Sequence, residues 1–146
     1  MNIYIKKLRE NAILPSYQTP GSAGADLSAC LDAPVTIGPG ETVLVPSGLA
    51  VELPEGYAGL VFARSGLASK RGVAPANKVG VIDSDYRGEL IVPLHNHGRA
   101  PEVIGPGQRV AQMLFVPVAR MNFIETAELG GTARGEGGFG STGTGV

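Results

Sequence analysis

The sequence is poor in cysteine, in charge and in long apolar runs, and each shortage excludes a class of protein. A single cysteine, Cys30, cannot form an intramolecular disulfide, so we expect a reducing, cytoplasmic compartment. Only 17% of the residues are charged and the formal net charge is -1, which provides no global attraction for a nucleic acid. No apolar stretch approaches the length of a membrane span or a signal segment. The sequence therefore predicts a soluble protein without nucleic-acid or membrane partners.

Turn-forming residues are abundant, with 22 glycines and 11 prolines among 146 residues, yet 43% of the chain is hydrophobic, which argues against disorder. Apolar residues alternate in short runs with a period of two, which is typical of β-strands. Strong breakers separate these runs, as in sandwiches and barrels of short antiparallel strands. One all-β, jelly-roll-like domain is predicted, with a single helix of about two turns around Ser65 to Lys70. Examples of the alternating pairs are Ile3/Ile5, Val35/Ile37, Val43/Val45 and Leu60/Phe62.

The last segment, residues 130–146, differs in kind from the rest of the chain. It holds eight glycines in 17 residues and one large apolar side chain, Phe139, so it cannot build a core. Fully extended, it would reach on the order of 50 Å, far enough to cross onto a neighbouring subunit. The segment is predicted to be either a tail without function or a mobile lid.

Gly135, Gly137 and Gly140 satisfy the spacing G-x-G-x-x-G, but no βαβ unit surrounds them, so a dinucleotide-binding fingerprint is rejected. A P-loop is also absent, because no Gly-Lys-Ser/Thr follows. What remains is a loop rich in backbone N-H groups that carries an arginine, two hydroxyls and one aromatic ring. These groups could wrap a nucleoside phosphate. A disordered linker would explain the glycines but not the aromatic ring among them.

A second candidate segment runs from Gly80 to Gly88, where apolar residues lead into an Asp-rich turn and a strand resumes at Leu90, as in a β-hairpin. Asp83 and Asp85 could simply make turn hydrogen bonds. Tyr86 beside them favours a binding site, since a tight turn neither requires nor easily buries a large ring.

Three further segments carry polar side chains that would be unremarkable one at a time: Ala23 to Leu27 with Asp26, Arg64 to Ala68, and Pro106 to Gln112. Each could be ordinary surface or strand-edge polarity. His95 and His97 share one face of a predicted strand, but no carboxylate or thiol is spaced to complete a zinc site, so a structural role is favoured for them.

Together and in this order, the five segments resemble the five motifs of the trimeric dUTPase family, over Ala23 to Gly143. The resemblance implies a jelly-roll-like β barrel over residues 1–129, assembled as a homotrimer. It implies three active sites that each use all three subunits. The Gly-rich tail, residues 130–146, would close over the site of a neighbour.

The resemblance further implies hydrolysis of dUTP to dUMP and pyrophosphate with Mg²⁺, which limits uracil incorporation into DNA and supplies dUMP for dTMP synthesis. Asp83 would be the general base for the attacking water, and Asp26 would hold Mg²⁺ through water. Tyr86 would exclude a ribose 2′-hydroxyl, whereas Asp85 and Arg87 would be structural. The remaining substrate contacts are expected from Arg64, Ser65, Gly66, Asn77, Gly80, Ile82, Gln112, Arg134, Phe139, Gly140, Ser141 and Thr142, with Phe139 stacking on uracil.

Two other functions compete with this interpretation. A dCTP deaminase would share the fold, but its relatives continue Arg-Ser with a second serine and carry a glutamate in a strand ending Asn-x-Gly. Here Gly66 follows Ser65, and the strand from Val92 to Gly98 contains no acid, so deamination is disfavoured. A non-catalytic trimer that binds nucleotides as a sensor or scaffold is the second alternative, and the presence of Asp83 and of the tail argues against it.

Overall fold

The computed structural model describes residues 1–138 and shows an all-β fold with one short helix, as predicted. The helix, α1, covers Ser65–Arg71, within one residue of the predicted segment, and ends at Gly72 in the left-handed conformation. The strands are β1 Tyr4–Lys7, β2 Ala25–Ser28, β3 Val35–Ile37, β4 Thr42–Glu52, β5 Tyr57–Ala63, β6 Val73–Pro75, β7 Gly80–Ile82, β8 Glu89–Asn96, β9 Glu102–Ile104 and β10 Arg109–Pro117.

Within the described residues, the strands form two four-stranded sheets and one two-stranded sheet. The first four-stranded sheet has the order β1-β4-β8-β6, the second has the order β2-β10-β5-β7, and β3 pairs with β9. All of these pairings are antiparallel. Each four-stranded sheet keeps two edge strands, so the predicted barrel is not closed in this chain. The chain passes from one sheet to another at corners, whereas in a closed barrel each strand would be hydrogen-bonded to the next around the whole circumference.

The core lies between the sheets and follows from the period-two pattern. In β8, Leu90, Val92 and Leu94 are almost completely buried, whereas Ile91 on the opposite face is 47% exposed. Leu27 of β2 and Met113 of β10 join the same cluster from the other sheet. Burial of these side chains, at about 25 cal/mol per Å² of apolar surface, supplies the main driving force that holds the two sheets together.

The repeated Ile-Gly-Pro-Gly segments form equivalent turns after two strands that pair with each other. Ile37 ends β3 and Ile104 ends β9, and both side chains are fully buried. In each turn the amide that follows the segment donates to the carbonyl of its first glycine, at 3.0 Å and 3.2 Å. The third turn residue, Gly40 or Gly107, has φ of 75° or 71°, as a type II turn with proline at its second position requires. The repeat therefore reflects turn chemistry used twice.

The hairpin predicted around Asp83 is not formed. β7 pairs with β5 through Gly59↔Ile82 and Val61↔Gly80, whereas β8 pairs with β4 and β6 in the other sheet. The segment from Asp83 to Gly88 is therefore a corner at which the chain passes from one sheet to the other. The apolar residues on both sides of the Asp-rich turn predict both strands correctly, but they carry no information about which partner each strand selects.

After Pro117 the described chain contains no helix or strand. Residues 119–136 are all exposed, and Phe123 is 98% exposed. Regular structure thus ends before the predicted domain boundary at residue 129, and the described part of the predicted tail, residues 130–138, makes only local turns. The predicted substrate residues Phe139, Gly140, Ser141 and Thr142 lie outside the described residues. No helix within residues 1–138 is both long enough and apolar enough to cross a membrane.

Candidate active site

A row of side chains across three strands of the second sheet forms the floor of a cleft of about 740 Å³. Gln112 of β10 is paired in register with Asp26 of β2 on one side and with Phe62 of β5 on the other. Directly paired residues project from the same face of a sheet, so these three side chains lie together. The walls include Gly24, Arg64, Ser65, Gly66 and Lys78. The pairing thus unites three of the five predicted motifs in one cleft.

Asp26 is held by two arginines in this cleft. The residue is only 7% exposed. Arg64 donates through Nε to Oδ1 at 2.7 Å, and Arg109 donates through Nη1 to Oδ2 at 3.1 Å. Both bonds are charge-assisted, and together they compensate the negative charge of a nearly buried carboxylate. Sequence analysis assigned no role to Arg109.

A β-bulge explains how Arg109 reaches Asp26. The register between β10 and β2 shifts from Arg109↔Ser28 to Ala111↔Leu27, which leaves Val110 as an extra residue. In a regular strand, residues 109 and 112 would project from opposite faces, because their separation is odd. The extra residue changes the phase, so that Arg109 and Gln112 both reach the region around Asp26. A sequence signal for such a bulge would be hard to read, since Val110 is an ordinary strand residue.

Gly24 makes room for Gln112. The Gln112 side chain donates through Nε2 to the carbonyl oxygen of Ala63 at 2.9 Å. A Cβ atom at position 24 would lie 2.5 Å from Oε1 of Gln112, which is closer than real Cβ contacts allow. The glycine therefore permits the close approach that holds Gln112 across the floor of the cleft.

Asp83 lies in a different cleft, of about 420 Å³, together with Tyr57 and Arg120. β7 runs antiparallel to β5, and Asp83 comes directly after β7, beside the Tyr57 end of β5. Arg64 comes directly after the other end of β5. Arg64 follows Tyr57 by seven residue steps along an extended strand, a distance of about 20 Å. One chain therefore does not bring Asp83 to Asp26, Arg64 and Gln112. The predicted site is divided into two half-sites, which we call the arginine half-site and the Asp83 half-site.

In the Asp83 half-site, the corner places Tyr86 in a fixed orientation. Its amide donates to the carbonyl of Asp83 at 3.2 Å, and its hydroxyl donates to the carbonyl of Glu89 at 3.0 Å. Arg87 donates to the carbonyls of Ser84 and Tyr86 at 2.7 Å and 3.1 Å, which supports its predicted structural role. Tyr86 nevertheless remains 43% exposed, so one surface of the ring is available for contact with a ligand.

β7 leads into this corner and presents an edge of the sheet. Within the described residues it pairs with β5 alone, so the N-H and C=O groups on its outer side have no strand partner. The Ile82 side chain packs against the core, and a Cβ atom at Gly80 would lie 3.3 Å from Nδ2 of Asn77. This edge can therefore offer a ligand the backbone N-H and C=O groups of Gly80 and Ile82, with the Asn77 side chain beside them.

Comparison with known proteins identifies the family. The family model for dUTPase matches residues 10–143. The chain belongs to the dUTPase family. It is 58% identical to a deoxyuridine 5'-triphosphate nucleotidohydrolase of Desulfitobacterium hafniense, over 89% of this chain and 87% of that protein. It is 51% identical to the protein of the same name from Burkholderia cenocepacia, over 98% and 97% of the two chains.

Solved dUTPase structures show the same fold. A mutant dUTPase of Staphylococcus bacteriophage 80alpha, with dUpNHpp, superposes with a TM-score of 0.90 at 27% identity, covering 97% of this chain and 98% of that one. A mutant dUTPase from phage phi11 of S. aureus, described for its coordination of a structural Mg(II) ion, superposes with a TM-score of 0.80 at 25% identity, covering 88% and 98%.

The dUTPase fold of this chain keeps the two histidines outside both half-sites. Their ring centroids are 4.4 Å apart in an edge-to-face arrangement, and Nδ1 of His95 lies 2.9 Å from the hydroxyl of Thr42. Desolvation, followed by the positive charges of Lys78 and His95, lowers the pKa of His97. Within residues 1–138, no three or more His, Cys, Asp or Glu side chains are grouped so that they could hold a metal ion by themselves.

The described part of the dUTPase tail lies apart from both half-sites. Arg134 donates through Nε to the carbonyl of Gly137 at 2.7 Å, within a local turn of the exposed segment. Of the predicted site residues, the structure therefore groups Asp26, Arg64, Ser65, Gly66 and Gln112 in one cleft. It places Asp83 in the other cleft and Arg134 in neither. β7, with Gly80 and Ile82, connects Lys78, which lines the first cleft, to Asp83 in the second.

Proposed function

We propose that this member of the dUTPase family, a dUTP diphosphatase, hydrolyses dUTP to dUMP and pyrophosphate at sites that neighbouring subunits build together. The division of the predicted site into two half-sites about 20 Å apart carries this proposal. The arginine half-site has phosphate-binding groups, and the Asp83 half-site has a base-reading edge and an exposed carboxylate. A closed ring of three chains would place the arginine half-site of one subunit against the Asp83 half-site of the next.

The arginine half-site suits a triphosphate, which brings about four negative charges. Arg64 donates through Nε to Asp26 and through Nη1 to the carbonyl of Arg109 at 3.5 Å, so Nη2 is the group that would face phosphate oxygens. Ser65 and Gly66 begin α1, where the first N-H groups of a helix have no intrahelical partner. With the Gln112 side chain, these groups would hold the phosphates in the cleft.

The Asp83 half-site suits the nucleoside. Uracil presents alternating carbonyl and N-H groups, and the outer edge of β7 offers complementary backbone groups at Gly80 and Ile82. Asn77 would add a side-chain contact to this edge. The Tyr86 ring, fixed by its bond to the Glu89 carbonyl, would pack under the deoxyribose and leave no space for a 2′-hydroxyl. The site would thereby select a deoxyribonucleotide by shape.

Asp83 would act as the general base. It is exposed and, within the described residues, its carboxylate takes part in no ion pair, so it can accept a proton from a water molecule. The water oxygen would attack the α-phosphorus, and the bond from that phosphorus to the oxygen bridging to the β-phosphate would break. Asp83 takes the proton lost by the water, and pyrophosphate leaves with the bridging oxygen.

Mg²⁺ fits Asp26 only as an indirect ligand. Both carboxylate oxygens already accept a hydrogen bond from an arginine, so direct coordination would have to displace one guanidinium. Each oxygen retains a lone pair for a water molecule, which suits an ion held mainly by substrate phosphates and its own waters. When bound, the ion would neutralise charge on the phosphates as the transition state forms. Asp26 would orient its water shell.

The tail would complete the site from a third subunit. Arg134 would contact phosphate, together with Gly140, Ser141 and Thr142, and Phe139 would cover the uracil. Exposure of the described segment before this point favours such a role, because the side chains of residues 119–136 are exposed and bury little surface against their own domain. In the cell, the reaction would limit uracil incorporation into DNA and supply dUMP for dTMP synthesis.

A product assay tests the proposal. The protein is incubated with Mg²⁺ and, separately, with dUTP, UTP, dTTP or dCTP, and the products are separated by chromatography. We expect rapid turnover of dUTP alone, to dUMP and pyrophosphate. Formation of dUTP from dCTP would identify a deaminase. Binding of dUTP without turnover would identify a non-catalytic nucleotide binder. Equal rates of hydrolysis of UTP and dUTP would contradict the role of Tyr86.

A further inference from the structure

Lys78 has a backbone conformation that its side chain disfavours. Its φ is 65°, and within residues 1–138 it is the only residue other than glycine with a positive φ. The amide of Val79 donates to the carbonyl of Asn77 at 2.7 Å, which closes a three-residue turn centred on Lys78. Glycine or asparagine would adopt this conformation more easily. Residues held in such conformations concentrate at functional sites, so the strained turn calls for a functional explanation.

The turn directs Lys78 toward the arginine half-site of its own chain. β5 and β7 pair as far as Val61↔Gly80, and continuing this antiparallel register by two residues places Lys78 opposite Ala63. Arg64 follows directly, and Lys78 does line the cleft that contains Asp26 and Arg64. The lysine therefore lines the same cleft as Arg64, Ser65 and Gly66, although it comes from the segment that precedes the nucleoside-binding edge.

Lys78 also differs from the two arginines in its ion pairing. Arg64 and Arg109 both bind Asp26, so the three groups together carry a single net positive charge. Lys78 takes part in no ion pair within the described residues, and its side chain is exposed. Among the groups that line this cleft, it is thus the cation without a carboxylate partner in residues 1–138. A ligand with several negative charges would require such a cation.

We propose that Lys78 is an additional ligand for the triphosphate of the substrate, and that it acts on the phosphates bound in the arginine half-site of its own chain. The inference rests on the proposed function, because that function makes this cleft the phosphate-binding part of the site. The nucleoside at the same site would come to the edge of β7 in a different subunit. Lys78 would therefore strengthen binding of the phosphates without touching the base that they carry.

The test compares Lys78→Gln with Lys70→Gln, a matched change at an exposed lysine in the last turn of α1. For Lys78→Gln we expect KM for dUTP to rise roughly 3-fold to 10-fold at low salt, with kcat nearly unchanged, as for loss of a partly exposed charged contact. The affinity for inorganic tripolyphosphate, measured by calorimetry, should fall by a similar factor. Lys70→Gln should change neither quantity, and the affinity of Lys78→Gln for dUMP should remain within about twofold of the wild type.

Two further variants separate charge from backbone strain. Lys78→Gly keeps the turn without strain and should show the same rise in KM as Lys78→Gln, whereas Lys78→Arg should restore most of the affinity. Unchanged KM and tripolyphosphate affinity in Lys78→Gln would overturn the inference, as would an equal loss of dUMP affinity. Failure of the wild-type protein to hydrolyse dUTP would refute the proposed function instead, and the tripolyphosphate measurement would still decide the role of Lys78.

Discussion

Arg109 and Asp26 are joined across adjacent strands by a 3.1 Å hydrogen bond that exists because of one extra residue in β10. Arg64 binds the other oxygen of the same carboxylate, so the two guanidiniums hold Asp26 from two sides. Arg109 therefore positions the group that would orient the magnesium waters. Its carbonyl also accepts a 3.5 Å hydrogen bond from Nη1 of Arg64, so Nη2 of Arg64 is the nitrogen that would face phosphate. This role explains why an arginine stands at a bulge beside the cleft.

Replacement of Arg109 by methionine should therefore weaken both stability and magnesium use. We expect the free energy of unfolding to fall by about 1–2 kcal/mol, since a charge-assisted bond to a buried carboxylate is lost from a half-exposed arginine. The magnesium concentration needed for half-maximal activity should rise, because Asp26 becomes less firmly held. Urea denaturation and a magnesium titration of the dUTPase rate measure the two effects.

Arg99→Met is the control, since Arg99 is exposed and makes no ion pair within the described residues. It should leave both quantities unchanged. If Arg109→Met altered stability without moving the magnesium requirement, Arg109 would be structural only and its positioning role would be wrong.

The ribose selectivity should depend on Gly88, which makes no contact with the substrate in the proposed arrangement. A Cβ atom at Gly88 would lie closer than 3.0 Å to three atoms of the Tyr86 ring and hydroxyl, so Gly88→Ala must displace the ring. We expect the ratio of kcat/KM for dUTP over UTP to fall at least about 10-fold, because a displaced ring excludes the 2′-hydroxyl less well. Steady-state kinetics with the two nucleotides measure this ratio.

Gly105→Ala serves as the comparison, because a Cβ at that glycine would meet no atom within 4 Å. Tyr86→Phe keeps the ring but loses the bond to the Glu89 carbonyl, so it should reduce the ratio less than Gly88→Ala does. Full selectivity in Gly88→Ala would show that Tyr86 does not select the sugar.

The sequence was sufficient for the parts of the structure that local patterns determine. Alternation predicts strands such as β4 and β10, and the proline-glycine turns are recognisable from their residues alone. Arg64, Gln112 and Asp26 were expected to belong to one site, and the register of β2, β10 and β5 brings them together. That expectation comes from the resemblance of their segments to one family, since each residue alone could be ordinary surface or strand-edge polarity.

Partner choice and side-chain neighbours were not predictable in this way. The corner at Asp83 was expected to be a hairpin, because a sequence that turns between two strands does not state whether they pair. The sequence does not indicate a role for Arg109, because its access to Asp26 depends on a bulge. It does not indicate a role for Lys78 either, because the pairing of β5 with β7 brings Lys78 to the cleft.

Asp83→Asn should separate binding from chemistry. The change is nearly isosteric and removes the ability to accept a proton, so we expect dUTP binding to persist while kcat falls by roughly 10² to 10⁴ or more. Asp85→Asn, in the same turn, should reduce kcat far less. Single-turnover kinetics and equilibrium binding of dUTP give the two quantities, and near-normal turnover of Asp83→Asn would make this carboxylate an ordinary turn residue.

Mixed trimers should decide whether Asp83 and Arg64 act on one substrate from different chains. Arg64 follows one end of β5, and Asp83 follows β7 beside the other end of β5, so the two residues are about 20 Å apart in one chain. Asp83→Asn and Arg64→Gln, each inactive alone, are refolded together in equal amounts. If every site combines Arg64 of one subunit with Asp83 of the next, about a quarter of the sites receive both intact residues by random assortment in a closed ring.

We therefore expect the mixture to recover about a quarter of wild-type activity. The Asp83→Asn, Arg64→Gln double variant mixed equally with wild-type chains is the control. It should also give about a quarter if the residues act from different chains, but about half if they act from the same chain. Native mass spectrometry must confirm that mixed trimers form. The opposite result would be a mixture of the single variants that stays as inactive as its parents, together with a control at half activity. That result would show that both residues serve one site from one chain. The separation of the two residues along β5 does not allow this arrangement without refolding of the second sheet.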